Sequence, residues 1–327
     1  SCGAGSQLAY SNAKGSWGPA FATRHSIPAW PTLKAAYPEM FPSANVAFRP
    51  YPDNVRDLFR TGWIFENSVG VNGGNDKSSV GLTASYLDHT GYVENSSYNR
   101  ANIGLGATTR LDIGLNVSGN FSYARTHQEG GFFGENQLGG AASSFARSLF
   151  LARNWDMNLP FEDENGLPLQ PNVTGYDNPR WSAKYNTNNT NEERIVAGAH
   201  FDFNINKWIR VDYTFGSNVA SLDRREVTEI GSRAAAGLGR LVLDQYRKQE
   251  LESNLLFTFT PRINNDFSLK AIIGNNVNQR TITNTTQTGS QFITRGIHTL
   301  GNTSQQQFTQ DFYSRQRIVG VFGDVTL

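Results

Sequence analysis

The chain has 327 residues, with 29 basic and 28 acidic side chains and a formal net charge of +1. That balance argues against a nucleic-acid surface, which carries a clustered basic excess; Arg224-Arg225 and Arg247-Lys248 are too short to supply one and read as solvated faces. A mean hydropathy of -0.46 and the lack of a long apolar run exclude a helical membrane span, which needs about 20 apolar residues, but not a membrane barrel, where every second residue faces a polar lumen.

Charged residues make up only 17%, aromatics reach 12%, and there are 32 glycines. Asn pairs recur at Asn188-Asn189, Asn264-Asn265 and Asn275-Asn276. Gly and Asn serve turns and wet surfaces and are poor helix formers, so an all-β chain is expected. Cys2 is the one cysteine, which excludes an internal disulfide and a multi-Cys zinc site. A lipoprotein start at Cys2 lacks a preceding signal segment, so a cut inside a longer chain is the expectation.

Residues 1–62 are irregular, with Trp17-Gly18-Pro19, Trp30-Pro31, Phe41-Pro42 and Arg49-Pro50-Tyr51-Pro52. One short helix is expected at Asn54–Phe59, capped by Asp53, with Val55, Leu58 and Phe59 on one side. From residue 63 the pattern turns to period two. Val80, Leu82, Ala84 and Tyr86 alternate with Ser79, Gly81, Thr83 and Ser85. Leu111, Ile113, Leu115, Val117, Phe121 and Tyr123 alternate with Asp112, Gly114, Asn116, Ser118, Asn120 and Ser122. Ile195, Ala197, Ala199, Phe201, Phe203 and Ile205 oppose Gly198, His200, Asp202 and Asn204. Ile209, Val211, Tyr213 and Phe215 oppose Arg210, Asp212 and Thr214, and the habit continues through Leu255, Phe257 and Phe259 and through Phe267, Leu269, Ala271 and Ile273. The polar face is rich in Gly, Ser, Asn and Asp, as a wet lumen requires, and the runs reach the roughly 9–11 residues of a tilted membrane strand.

Short turns are expected at Gly73–Asp76, Thr108–Arg110, Ile205–Lys207 and Arg262–Asp266. Long links are expected at about 88–99, 125–191, 217–247 and 279–314. The strict alternation of short and long suits a bacterial outer-membrane barrel with tight periplasmic turns and long external loops. The domain reading is therefore a first external loop region at 1–62 and barrel strands with external loops at 63–327. Segment 232–250 fits a helix nearly as well as a strand. About nine strands result, and nine strands with open edges cannot stand alone in lipid. The run Val325-Thr326-Leu327 ends without a closing aromatic residue, so the rest of the wall is expected to lie outside this sequence.

Several stretches resemble the SusC/RagA-type TonB-dependent transporters of Bacteroidetes. They are Ser16-Trp17-Gly18-Pro19, Tyr51-Pro52-Asp53-Asn54-Val55, Leu58-Phe59-Arg60-Thr61-Gly62, Asn67-Ser68-Val69 and Gly73-Gly74-Asn75-Asp76-Lys77. Ser85-Tyr86-Leu87-Asp88, Thr90-Gly91, Tyr98-Asn99-Arg100 and Asn178-Pro179-Arg180-Trp181 follow in order. The resemblance implies a partial transmembrane antiparallel β-barrel, about nine of 22 strands, in the bacterial outer membrane. It implies a plug and TonB box absent from this chain, and TonB reached through that missing N-terminal region. It also implies a SusD-like surface lipoprotein as partner, a glycan or peptide ligand, and lipid around the wall. A structural or secretion-associated barrel component is the alternative.

No enzyme constellation stands out. His200 and Asp202 share a strand face with no evident nucleophile, and a hydrolytic barrel needs a His–Ser pair on the outer face of the wall. Glu162-Asp163-Glu164-Asn165-Gly166 offers oxygen ligands for calcium but not the spaced acidic pattern, so a solvated turn is expected. Gly130-Gly131 and Gly139-Gly140 lack a following Lys-Ser/Thr, and no cofactor is implied. Residues 142–153 are expected to form a helix with Phe145, Leu149 and Ala152 on its packed face and Ser143 or Ser144 as cap. Trp17, Trp155, Trp181 and Tyr185 are the loop aromatics able to stack on a ligand or partner, with loop packing as the simpler use.

Overall fold

The computed structural model describes residues 20–23, 25–133, 140–169, 175–262 and 268–327. A small pairing of β1 (Ser26–Pro28) with β2 (Asn45–Ala47) comes first. The strands β3 (Trp63–Gly74), β4 (Ser78–Thr90), β5 (Ser97–Arg110) and β6 (Leu115–Glu129) follow, then β7 (Thr187–Asn204), β8 (Ile209–Ile230), β9 (Leu238–Phe259), β10 (Lys270–Phe292) and β11 (Thr303–Thr326). Among the described residues β3 to β11 form one sheet, each strand antiparallel to the next in sequence.

Register decides which residues share a face. Ile195 lies opposite Tyr123 on one side and Val219 on the other, and Phe201 lies opposite Val117 and Tyr213. The rings of Phe201 and Tyr213 stack with centroids 6.3 Å apart. The alternating apolar residues of β6 to β8 therefore fuse into one band, while Ser118, His200 and Thr214 form a row on the opposite face. The band stays uncovered: Val71 is 64% exposed and Val321 76%. A soluble sandwich would bury such a face against a second sheet.

The strands lengthen along the chain, from 12 residues in β3 to 24 in β11. They run into all four spans read from the sequence as links, leaving only 91–96, 130–186, 231–237 and 293–302 between strands at that end. Segment 232–250 resolves into a 3-10 turn at Arg233–Ala235 and the start of β9. Beyond the apolar band both faces are polar, as with Arg280, Thr281, Thr283 and Asn284, so alternation fades although the ladder continues. Short and long links still alternate by end, but in length only 130–186 stands well apart.

The turn expected at Thr108–Arg110 lies instead at 111–114. Gly114 supplies a φ of 85°, and the Leu111 amide donates to the Leu115 carbonyl at 2.8 Å. Leu111 and Ile113 thus belong to the turn and not to β6. Phe267 lies outside the described residues, and Leu269 precedes β10.

A cap packs over the long-link end. Residues 25–59 and 140–186 share one core built on Trp30, Leu33, Phe41, Leu151, Trp155 and Met157. Trp30 meets Trp155 edge-on at 5.2 Å. Its helices are α1 (Pro31–Ala36), α2 (Ser144–Ser148) and α3 (Pro179–Tyr185). α2 is capped by Ser143, whose Oγ accepts the Ala146 amide at 3.2 Å. It is shorter than expected and turned the other way: Ala146 and Arg147 are buried, while Phe145 and Leu149 are 40% and 50% exposed. The helix expected at Asn54–Phe59 is a single 3-10 turn at Arg56–Leu58. Asp53 pairs with Arg56 at 3.5 Å, and of the expected face only Leu58 is buried. In the acidic run, Asp163 Oδ1 accepts the amides of Asn165 at 2.9 Å and Leu167 at 2.8 Å, and Glu162 accepts Lys184 at 2.7 Å. These two carboxylates are already engaged in closing the turn and in an ion pair.

Candidate functional site

The polar face of β7 to β11 and Phe132 line an open-sided cavity of about 540 Å³. Its floor is a row set by register, Arg224 opposite Asp244 and Asp244 opposite Thr286. Arg224 Nη2 donates to Asp244 Oδ2 at 3.0 Å, and Thr286 Oγ1 donates to Asp244 Oδ1 at 2.8 Å. Thr288 and Thr309 hydroxyls meet at 3.2 Å on the β11 side. Phe132, 2% exposed, lines the cavity from the long connection between β6 and β7. Asn188 Oδ1 and Asn284 Oδ1 line the same space, buried and without a hydrogen-bond partner among the described residues. Buried carbonyl oxygens left unpaired are costly, and a ligand N–H or O–H reaching them would recover that cost.

A buried network holds the cap to the wall. Asp177 Oδ2 accepts the Ser232 hydroxyl at 2.5 Å and the Asn186 amide group at 3.1 Å, and Asp177 Oδ1 accepts the Arg233 amide at 2.7 Å. Burial pushes the Asp177 carboxyl above its ordinary value, and these donors only partly offset it. Asn186 Oδ1 accepts the Glu229 amide at 2.9 Å. Glu229 lies at the far end of β8, well beyond Val219 and outside the apolar band. Its carboxylate binds His298 Nε2 at 2.7 Å and the Ile230 amide at 2.7 Å. Burial raises the Glu229 carboxyl, but His298, the Ile230 amide and Arg295 outweigh it and hold the group below the usual range. Arg295 Nη1 donates to the Asn165 carbonyl at 2.6 Å, and its guanidinium lies 4.6 Å over the Tyr185 ring. The connections 130–186, 231–237 and 293–302 are thus tied together.

Near the short-turn end, one ligand atom each from His200, Asp202 and Asp212 lies within 4.8 Å of the others. Arg210 already bridges the two carboxylates, reaching Asp212 at 2.9 Å and Asp202 more closely. A cation there would have to displace Arg210. His200 Nδ1 pairs with Thr214 Oγ1 at 2.9 Å, a cross-strand partner that only register reveals.

The loop aromatics separate by burial. Trp155 and Trp181 are 1% and 0% exposed, so their rings pack inside the cap and present no face to a ligand. Trp181 Nε1 also donates to the Gly166 carbonyl at 2.9 Å. Tyr185 is half-buried, its ring tilted against Trp181 with centroids 5.2 Å apart. Trp17 lies outside the described residues. The cavity residues Arg224, Asp244, Asn284 and Thr309 all fall in spans that the sequence reads as links.

No family model matches the chain, and no curated protein does. Solved structures do. A chain of the RagAB peptide transporter superposes with a TM-score of 0.66 at 13% identity, over 84% of this chain and 31% of that one. The RagAB peptide importer in its closed-closed state gives 0.67 at 14% identity, over 84% and 31%. Over the part they share, the chain has the fold of those chains. The open-open state of the same importer gives 0.62 at 14% identity, over 85% and 32%, so the shared part spans about a third of those chains. If the sheet curves as a barrel wall, the apolar band is expected on its outer face and the polar row of His200 and Arg224 on its lumen face.

Proposed function

We propose that this chain is part of an outer-membrane TonB-dependent importer of glycans or oligopeptides. It works with a SusD-like surface lipoprotein and receives energy from TonB through a region outside this sequence. The uncovered apolar band, backed by a polar face, carries the reading. In lipid that band needs no protein cover, and the lumen face supplies the wet passage. The likeness of fold to the RagAB transporter supports it, as does the amide- and hydroxyl-lined cavity, which suits a cargo that hydrogen-bonds. The test is deletion of the full-length gene, followed by uptake of labelled oligopeptides and oligosaccharides and by affinity purification of the tagged protein from membranes. Loss of uptake of one cargo class and recovery of a surface lipoprotein are expected. Unchanged uptake of both classes, with the protein recovered alone, would sink the proposal.

A further inference from the structure

Directly above the apolar band, on the outer face of β9 to β11, lies a patch whose composition differs from the rest of that face. Arg247 on β9 faces outward, since its register partners Ser221 and Thr283 lie on the side opposite the lumen row of Arg224, Asp244 and Thr286. Thr283 in turn lies opposite Tyr313, Thr281 opposite Arg315, and Gln279 opposite Arg317. Gln249 completes the middle row opposite Thr281. Three strands therefore present three guanidiniums around two threonine hydroxyls, two glutamine amides and the Tyr313 hydroxyl. No carboxylate stands in the patch; Asp223 and Asp311 lie farther from the band on β8 and β11.

Arg247, Arg315 and Arg317 are exposed. Arg247 has no hydrogen-bond or ion partner among the described residues. Arg315 lies 5.7 Å over the Tyr313 ring, and Arg317 Nε donates to Gln279 Oε1 at 3.0 Å, which aims both along the wall. Below the patch the same three strands turn apolar, with Leu255, Phe257 and Phe259 on β9, Val277 and Ile273 on β10, and Val319 and Val321 on β11. Neighbouring strands stand about 4.8 Å apart and residues advance about 3.4 Å, so the arginines lie within about 10 Å across and 14 Å along the wall. That is the footprint of one large headgroup. The cations suit phosphate, the hydroxyls and amides suit a polyol or sugar, and the apolar strip beneath suits acyl chains.

We propose that this patch is a docking site for a membrane lipid with a phosphorylated headgroup, held by Arg247, Arg315 and Arg317. The inference rests on the reading of the apolar band as lipid-facing. The test uses the full-length protein purified from its membrane in detergent. Bis-phosphorylated lipid A and the same lipid stripped of phosphate are titrated in turn, with bound lipid counted by native mass spectrometry. Wild type is expected to bind the phosphorylated lipid and to lose it in high salt. The triple variant Arg247→Gln, Arg315→Gln, Arg317→Gln is expected to lose about a hundredfold in affinity, about a factor of five for each arginine near an anionic group. Arg125→Gln, on the outer face of β6, is expected to change nothing. Equal binding of the stripped lipid, or unaltered binding by the triple variant, overturns the proposal. Heat-modifiable gel migration of each protein separates the two readings. A triple variant that still migrates as a folded barrel but binds as tightly as wild type defeats the headgroup site alone. A wild type recovered soluble without detergent defeats the membrane reading and the site together.

Discussion

The cap and the wall are stabilised in opposite ways. The cap is organised as an ordinary domain, with Trp155, Trp181 and Leu33 essentially inaccessible and the Asp177 network closing its base. The wall has almost no interior; the large apolar side chains along its apolar band, from Val69 to Val325, are exposed. Among the described residues a small buried cluster on the wall, Val227, Leu241 and Phe292, packs with Leu300 of the last connection. Hydrophobic burial inside the protein therefore holds the cap, whereas backbone pairing and the surrounding solvent hold the wall. Damage to one is expected to leave the other standing.

The largest effect is expected for Trp155→Ala, which empties the centre of the cap at a cost of about 3–5 kcal/mol. Limited proteolysis should then cut within 140–186, while heat-modifiable migration of the barrel is kept. Loss of both together would mean that cap and wall fold as one unit. On the wall, Ala197→Arg on the outer face is expected to cost about 2–4 kcal/mol in urea unfolding from a bilayer. Asn278→Arg, which faces the lumen, is expected to stay within about 0.5 kcal/mol. Equal costs at the two positions would remove the distinction between the faces.

Asp177→Ala leaves the Ser232 hydroxyl and the Arg233 amide without their acceptor. It should loosen the cap by about 1–3 kcal/mol, read as faster amide exchange at 231–237. The smallest effect concerns pH. The Glu229 carboxyl is held below its ordinary value of 4.5. Its contribution is therefore present above that pH and lost as pH falls through the lowered value. Asp177, raised by burial, has the opposite sign: its contribution is fully present below its ordinary value of 3.8 and is lost as pH rises through the raised value. Glu229→Gln should thus weaken cap protection at pH 7 and flatten its decline in acid. A variant with the same acid decline as wild type would show that Glu229 is not the titrating link.

The sequence makes the part of each strand within the apolar band legible because there one face is apolar and the other polar. Val117, Phe121 and Tyr123 leave little choice. The upper strands are illegible for the same reason: with polar side chains on both faces, as at Arg280, Thr281, Thr283 and Asn284, the period-two signal is lost although the ladder continues. The turn at 111–114 was hidden because Leu111 and Ile113 carry the alternation through it. The orientation of α2 was hidden because one and a half turns of helix offer no periodicity to read, so burial of Arg147 instead of Phe145 is decided by the partner surface. The candidate cavity shared this fate. Its residues come from five strands and the long connection between β6 and β7, and their meeting depends on a register that no local segment encodes.

One irregularity in the ladder has a further consequence. Between β10 and β11 the partner of Thr286 is Gln310, but the partner of Gln287 is Phe308, so Thr309 is an extra residue. Below it the even-numbered residues of β11 point inward; above it the odd-numbered ones do, with Gln307 and Gln305 opposite Thr288 and Ser290. Thr309 is the residue that the bulge absorbs, and its hydroxyl donates to the Thr286 carbonyl at 3.2 Å. Deleting it would join Phe308 to Gln310, which already lie on opposite faces, so the ladder would close without a bulge, every other side chain would keep its side, and the cavity would lose only the Thr309 hydroxyl.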